Sequence, residues 1–190
     1  VDSRMLLDAI NKSGHFEFLD ISYDNIRALA PLYDIPMTLV VRDDAGVAAL
    51  TDLIGKQINA GVPRSPQYLA VETIIKAKNW TQKDFSLVGE LPPSQSQDTM
   101  AFCHGTMQAM VHIGVHPDPS LQQLFKLCKA QLVNMDDSDI EKLVGEQAAF
   151  WKIDIAADTY PSQPKGVTTF GTRAMLVASE DLDAETVHKI

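Results

Sequence analysis

Short apolar runs alternate along this chain with stretches of helical periodicity, and that alternation restricts the fold more than any other feature. Residues 26–33, 37–42, 57–60, 109–113, 131–133 and 174–178 are apolar runs bounded by turn-forming residues, and they read as strands. Helical patterns lie between them at residues 47–53, 65–78, 96–104, 119–129 and 138–144, with a last one starting at Ala184. Helices that alternate with strands cover the faces of a parallel or mixed sheet, so the class is α/β. At 190 residues and 45% hydrophobic content there is ample material for a packed core, in one domain or two small lobes.

Charge excludes one class of partner. The net charge is −9 and the acids are spread along the chain, so the sequence carries no electrostatic footprint for nucleic acid or an anionic membrane. No run of 18 apolar residues occurs. The start, VDSRMLLDAINKSG, lacks the ordered regions of a signal peptide, which leaves a cytosolic chain or one whose targeting segment has been removed. Cys103 and Cys128 are the only cysteines, and two thiols form one disulfide or stay as two small buried hydrophobes. Their positions inside half-apolar helical patterns favour free, buried thiols.

The segment Gln57-Ile-Asn-Ala-Gly-Val-Pro-Arg-Ser-Pro-Gln67 reads as a strand, a tight turn and a helix start. Gly61 permits a sharp turn, Ser65 is a favoured N-cap, and Pro66 falls at the first helical position, where its missing N–H is harmless. The free amides of such a turn add to the positive end of the helix, so a carboxylate or phosphate suits it, with Arg64 as a bidentate partner. Asp118-Pro119 and the acids from Asp136 to Asp139 are expected to cap helices and need no further role. Polar, Pro-containing loops are expected at residues 90–97 and 157–166.

With the elements in order, several blocks resemble the TAXI family of solute-binding subunits of tripartite ATP-independent periplasmic (TRAP) transporters. They are IRALAPLY from Ile26, MTLVVR from Met37, ALTDLIGK from Ala49, INAG from Ile58, GVHP from Gly114, DIEKL from Asp139, TYPSQ from Thr159 and VTTFG from Val167. The resemblance implies a periplasmic-binding-protein-like (type II) α/β receptor: a three-layer lobe with a mixed sheet, crossing hinge strands at residues 37–42 and 174–178, and an incomplete first lobe. Residues 1–42 would be the remnant of lobe I with the first crossing strand, 43–165 the ligand-binding lobe II, and 166–190 the return strand with a lobe I helix. The implied function is extracytoplasmic: binding a small carboxylate solute, such as an amino acid, for membrane permease subunits, without catalysis or cofactor. A chain lacking its first lobe would expose an apolar interface, and a homodimer is then expected. A ligand-sensing regulatory domain on the same fold is the alternative. Where the family tends to have Gly-Ser-Gly-Thr after the proline, this chain has Arg64-Ser65-Pro66-Gln67, and only the serine matches.

The expected ligand-binding residues are therefore Gly61, Arg64, Ser65 and Gln67 in the turn, joined by Tyr160, Thr168 and Thr169 from the return segment. For each, capping, a turn or a strand end is a competing explanation. His104, His112 and His116 beside Cys103 have metal-ligand chemistry, but a helix, strand and loop path is expected to scatter them, and no metal is assigned. Cys103 and His104 are adjacent and point about 100° apart on a helix, so they cannot act as nucleophile and base. Gly-x-Ser-x-Gly is absent, and no enzyme activity is expected.

Overall fold

A computed structural model describes residues 1–90, 100–161 and 163–189. Its strands are β1 (Ile26–Arg42), β2 (Gln57–Asn59), β3 (Leu87–Gly89), β4 (Ala109–Ile113), β5 (Ala130–Val133), β6 (Trp151–Ile155) and β7 (Val167–Ser179). Its α-helices are α1 (Ser3–Ile10), α2 (Pro66–Ala77), α3 (Pro119–Leu127), α4 (Ser138–Glu146) and α5 (Ala184–His188). None of the described helices is long and apolar enough to cross a membrane.

The strands form one mixed sheet in the order β3-β2-β4-β1-β7-β6, with β5 also paired to β1. The stretch MTLVV of β1 is buried on both faces, as continuous Val and Leu content in a central strand requires. On one face Leu39 and Val41 pack with Ala70, Val71 and Ile74 of α2 and with Ile140 and Leu143 of α4. On the other, Val40 and Leu132 pack with Leu121, Leu124 and Phe125 of α3 and with Phe102 and Tyr160. The result is a helix–sheet–helix sandwich, the mixed α/β class that the alternation implies.

Several boundaries differ from expectation, each for a physical reason. Residues 26–33 and 37–42 are one strand, because Pro31 and Pro36 lie in the stretch of β1 that pairs only with β7, where a missing donor breaks no second ladder. The expected crossing segment 37–42 therefore sits inside the sheet. The first half of β1 and the second half of β7 instead form a two-stranded ribbon, with register shifts around Pro31, an Asp34–Arg173 ion pair of 2.7 Å, and exposed Leu32 and Tyr33. Residues 47–53 yield only a 3-10 turn at Leu50–Leu53, confined between left-handed Gly46 and Gly55. Of the helix expected at 96–104, residues 100–103 are helical and 96–99 lie outside the described residues, as does most of the loop expected at 90–97. Cys103 and Cys128 are joined as a disulfide with Cα atoms 5.4 Å apart, which corrects the expectation of free thiols: the ends of the 100–103 helix and of α3 meet beside the sheet.

Candidate functional site

β2 runs parallel to β4, and both β4 and β5 run antiparallel to β1, so the chain leaves all three strands at one edge of the sheet. In open α/β sheets the carboxyl edge is where ligands bind, because loops and helix N-termini gather there. Three loops build this one.

The loop after β2 is the expected turn. Asn59, 2% exposed, accepts a hydrogen bond from the Gly61 amide at 3.0 Å through Oδ1. Gly61 holds φ at +74°, and a Cβ there would lie 2.8 Å from Gln67 Oε1 and 3.0 Å from Ser65 Oγ. Only glycine fits beneath those two side chains. Ser65 Oγ accepts from the Tyr68 amide at 3.1 Å and caps α2, with Pro66 behind it. The N–H groups of Val62, Arg64 and Gln67 find no acceptor among the described residues. They are donors at the positive end of a 12-residue helix. Arg64 stands exposed at the apex, itself left-handed at φ +69°.

The loop after β4 is pinned from below. His116 turns inward, its Nε2 2.7 Å from Thr38 Oγ1 on β1 and its Nδ1 2.6 Å from the Tyr160 hydroxyl. That hydroxyl also accepts the Asp118 amide at 2.9 Å, and Asp118 caps α3 by accepting from Ser120 and Leu121. The His112 ring lies edge-on to His116 at 5.8 Å, its Nε2 3.9 Å from Asp118 Oδ2. Burial pushes His116 down to about 4, His112 beside it pushes the same way, and Asp118 opposes. His112 is also lowered by burial against the pull of Asp118.

The loop after β5 closes the edge. Asn134 Oδ1 accepts from the Thr168 amide at 2.9 Å, and Asp137 caps α4 while accepting from Lys78 Nζ at 3.0 Å. Asp139 takes the same ammonium at 2.6 Å. Burial alone would lower Lys78, but the two carboxylates outweigh it and hold the amine above its ordinary value.

The structure thus brings Gly61, Ser65 and Gln67 together, with Arg64 exposed on the same turn, while Tyr160, Thr168 and Thr169 come from the loop ahead of β7 and from β7 itself. Tyr160 is 2% exposed, packed on Phe125, its hydroxyl committed to His116 and Asp118. Thr169 is buried with its hydroxyl donated to the Met37 carbonyl, and with Phe170 it borders a cavity of about 250 Å³ beside α4. Thr168 donates to Asp154 at 2.7 Å. Each of the three hydroxyls thus has an intramolecular partner, buried for Tyr160 and Thr169 and solvent-exposed for Thr168. Of the three histidines, His112 and His116 do meet, while His104 stands exposed near the disulfide. Among the described residues no group of three or more ligating side chains could hold a metal ion. Asn59 and Thr38 carry no expected role, and His116, weighed for a metal, instead pins the loop after β4. Asn59 carried a signal, an Asn two residues before a turn glycine.

A model of the NMT1-like family matches residues 1–190. Among solved structures, the periplasmic aliphatic sulphonate binding protein SsuA from Escherichia coli is similar at 12% identity over 57% of this chain, with a TM-score of 0.43. The second substrate binding domain of GlnP from Lactococcus lactis, in an open conformation, is similar at 12% identity over 98% of this chain and 74% of its own, with a TM-score of 0.47. The chain spans 33% of the sulphonate binding protein's length.

Proposed function

The chain belongs to the NMT1-like family, whose model matches it throughout, and on that premise we propose that it is a receptor holding a small organic anion, an amino acid or another carboxylate, for a membrane transporter. The turn after β2 carries the reading: three amides without an acceptor among the described residues, a capping serine and an exposed arginine lie at the start of α2. A carboxylate placed there accepts from oriented backbone donors and meets the helix's positive end. Binding of this kind needs no nucleophile, metal or cofactor. The binding lobe is residues 43–165 together with the strand segments 37–42 and 167–171 that complete its sheet.

The ordered blocks from Ile26 to Gly171 support a transporter of the tripartite ATP-independent type, with permease subunits as the membrane partner. The Cys103–Cys128 bridge agrees with an extracytoplasmic, oxidising location. Isothermal titration with amino acids, small dicarboxylates and keto acids tests the assignment. Saturable binding of at least one of them, weakened by Gly61→Ala through displacement of the Ser65 and Gln67 side chains, is the expected outcome. Absence of heat and of any thermal shift across the whole set would retire it.

A further inference from the structure

The loop from Gly114 to Asp118 forms the middle of the carboxyl edge, and its shape depends on one inward-facing ring. Both nitrogens of His116 are engaged, one by Thr38 on the central strand and one by Tyr160 from the loop ahead of β7. One arrangement of protons satisfies the ring and the Tyr160 hydroxyl together. The Asp118 amide donates to the Tyr160 oxygen, so the phenolic proton is free to go to Nδ1 of His116. Nδ1 is then an acceptor, and the ring's single proton sits on Nε2, donated to Thr38 Oγ1. Every member is satisfied only while the imidazole is neutral. A second proton on Nδ1 would face the Tyr160 hydroxyl hydrogen and strand it.

We propose that His116 is a positioning residue for the solute edge: neutral, it clamps the loop after β4 to the sheet and to the cap of α3, and protonated, it lets that loop go. The inference rests on the receptor reading for its purpose, though not for its chemistry. The titratable groups facing the ring are His112 from β4, Asp118 from the start of α3, and Tyr160. His112 disfavours a charge on His116 and Asp118 favours one. Burial decides the balance, with Thr38 wholly buried and Tyr160 nearly so. A drop in pH therefore loosens the middle of the edge while the turn at Gly61, which contains no group titrating in this range, stays formed. Solute is released on acidification by loss of its floor rather than by neutralisation of the solute itself.

The experiment uses the full chain labelled with ¹⁵N in histidine, followed by NMR from pH 7.5 to 4, together with amide hydrogen exchange at residues 114–118. The expected spectrum shows His116 as the Nε2–H tautomer at neutral pH, resisting protonation until close to pH 4. Protection at residues 114–118 should fall by about tenfold per pH unit between 6.5 and 4, relative to that at residues 39–41. Tyr160→Phe removes the donor at Nδ1, and should move His116 upward and shift the loss of protection to higher pH. Thr38→Val removes the acceptor at Nε2, a bond the charged ring makes more strongly than the neutral one, and should move His116 further downward. A ring titrating near 6.5, an Nδ1–H tautomer, or protection at 114–118 that tracks the core at every pH would overturn the clamp. Titration with carboxylates at pH 7 and pH 4.5 separates the two ideas. If none binds at either pH, the receptor reading falls while tautomer and exchange still judge the clamp. If binding is equally tight at both pH values, the positioning role is overturned.

Discussion

At the scale of the residue, Arg64 and Gly61 occupy the same left-handed region for different reasons. Gly61 is confined by the Ser65 and Gln67 side chains above it, whereas Arg64 bears a Cβ in a conformation that costs a non-glycine residue about 1 kcal/mol. Arg64→Gly relieves that strain and returns flexibility to the unfolded chain, so the two effects nearly offset, and urea midpoints should report a change within about 0.5 kcal/mol. Affinity for a carboxylate should fall about tenfold through loss of the guanidinium. Titration of the same variant checks this, and an unchanged affinity would strike Arg64 from the site. The turn at Gly61 and the cap at Ser65 were legible because turn and cap chemistry acts over a few neighbouring positions. Tyr160 and Thr169 were not, because the sequence shows a hydroxyl but not the distant acceptor that claims it.

Among elements, α2 and α4 are tied by an ammonium that is only 8% exposed and shared between Asp137 and Asp139. Its methylenes run beside Trp80, with Nζ 5.6 Å from the ring centroid. Lys78→Met keeps the apolar stem and removes the charge, and should destabilise by about 1–2 kcal/mol in urea unfolding. Because the Lys78 amine is held above its ordinary 10.5, its contribution is complete below that pH and lost as pH rises beyond it. The variant should lack that alkaline loss. The Cys103–Cys128 bridge closes a loop across a sequence separation of 25, and the chain-entropy account gives it about 3 kcal/mol. Reductant should lower the unfolding midpoint accordingly, and a midpoint unmoved by reductant would show the bridge to be idle. Helices with side-chain caps, α2, α3 and α4, were readable to within a residue or two of their ends. β6 was missed although Trp-Lys-Ile-Asp-Ile alternates cleanly, and β1 was cut in two at prolines that only its lone partner in the ribbon makes tolerable.

For the whole molecule, the acid limb of stability follows from depressed groups of both kinds. The fold favours neutral His116 and His112, so their contribution is complete above the ordinary value of 6.5 and drains away as pH falls toward about 4. Asp118 is lowered too: its hydrogen bonds to Ser120 and Leu121 and the charge of His112 outweigh burial, which alone would raise it, and its share is lost only below 3.8. Denaturant midpoints should therefore decline in two stages on acidification, and His116→Asn should flatten the first. A single step confined below pH 4 would contradict this. Sheet class and layer count were legible because burial periodicity is written locally. Strand order was not, since β1 takes partners from the far end of the chain.

That last fact bears on how the protein comes into being. Ile26 pairs with Ser179, so the first half of the strand at the heart of the sheet finds its partner far along the chain. During synthesis that half must wait, unmatched, until β7 has emerged from the ribosome, whereas residues 37–42 can pair earlier with β4 and β5. Closing the ribbon is therefore a late, non-local event that no local step can hasten.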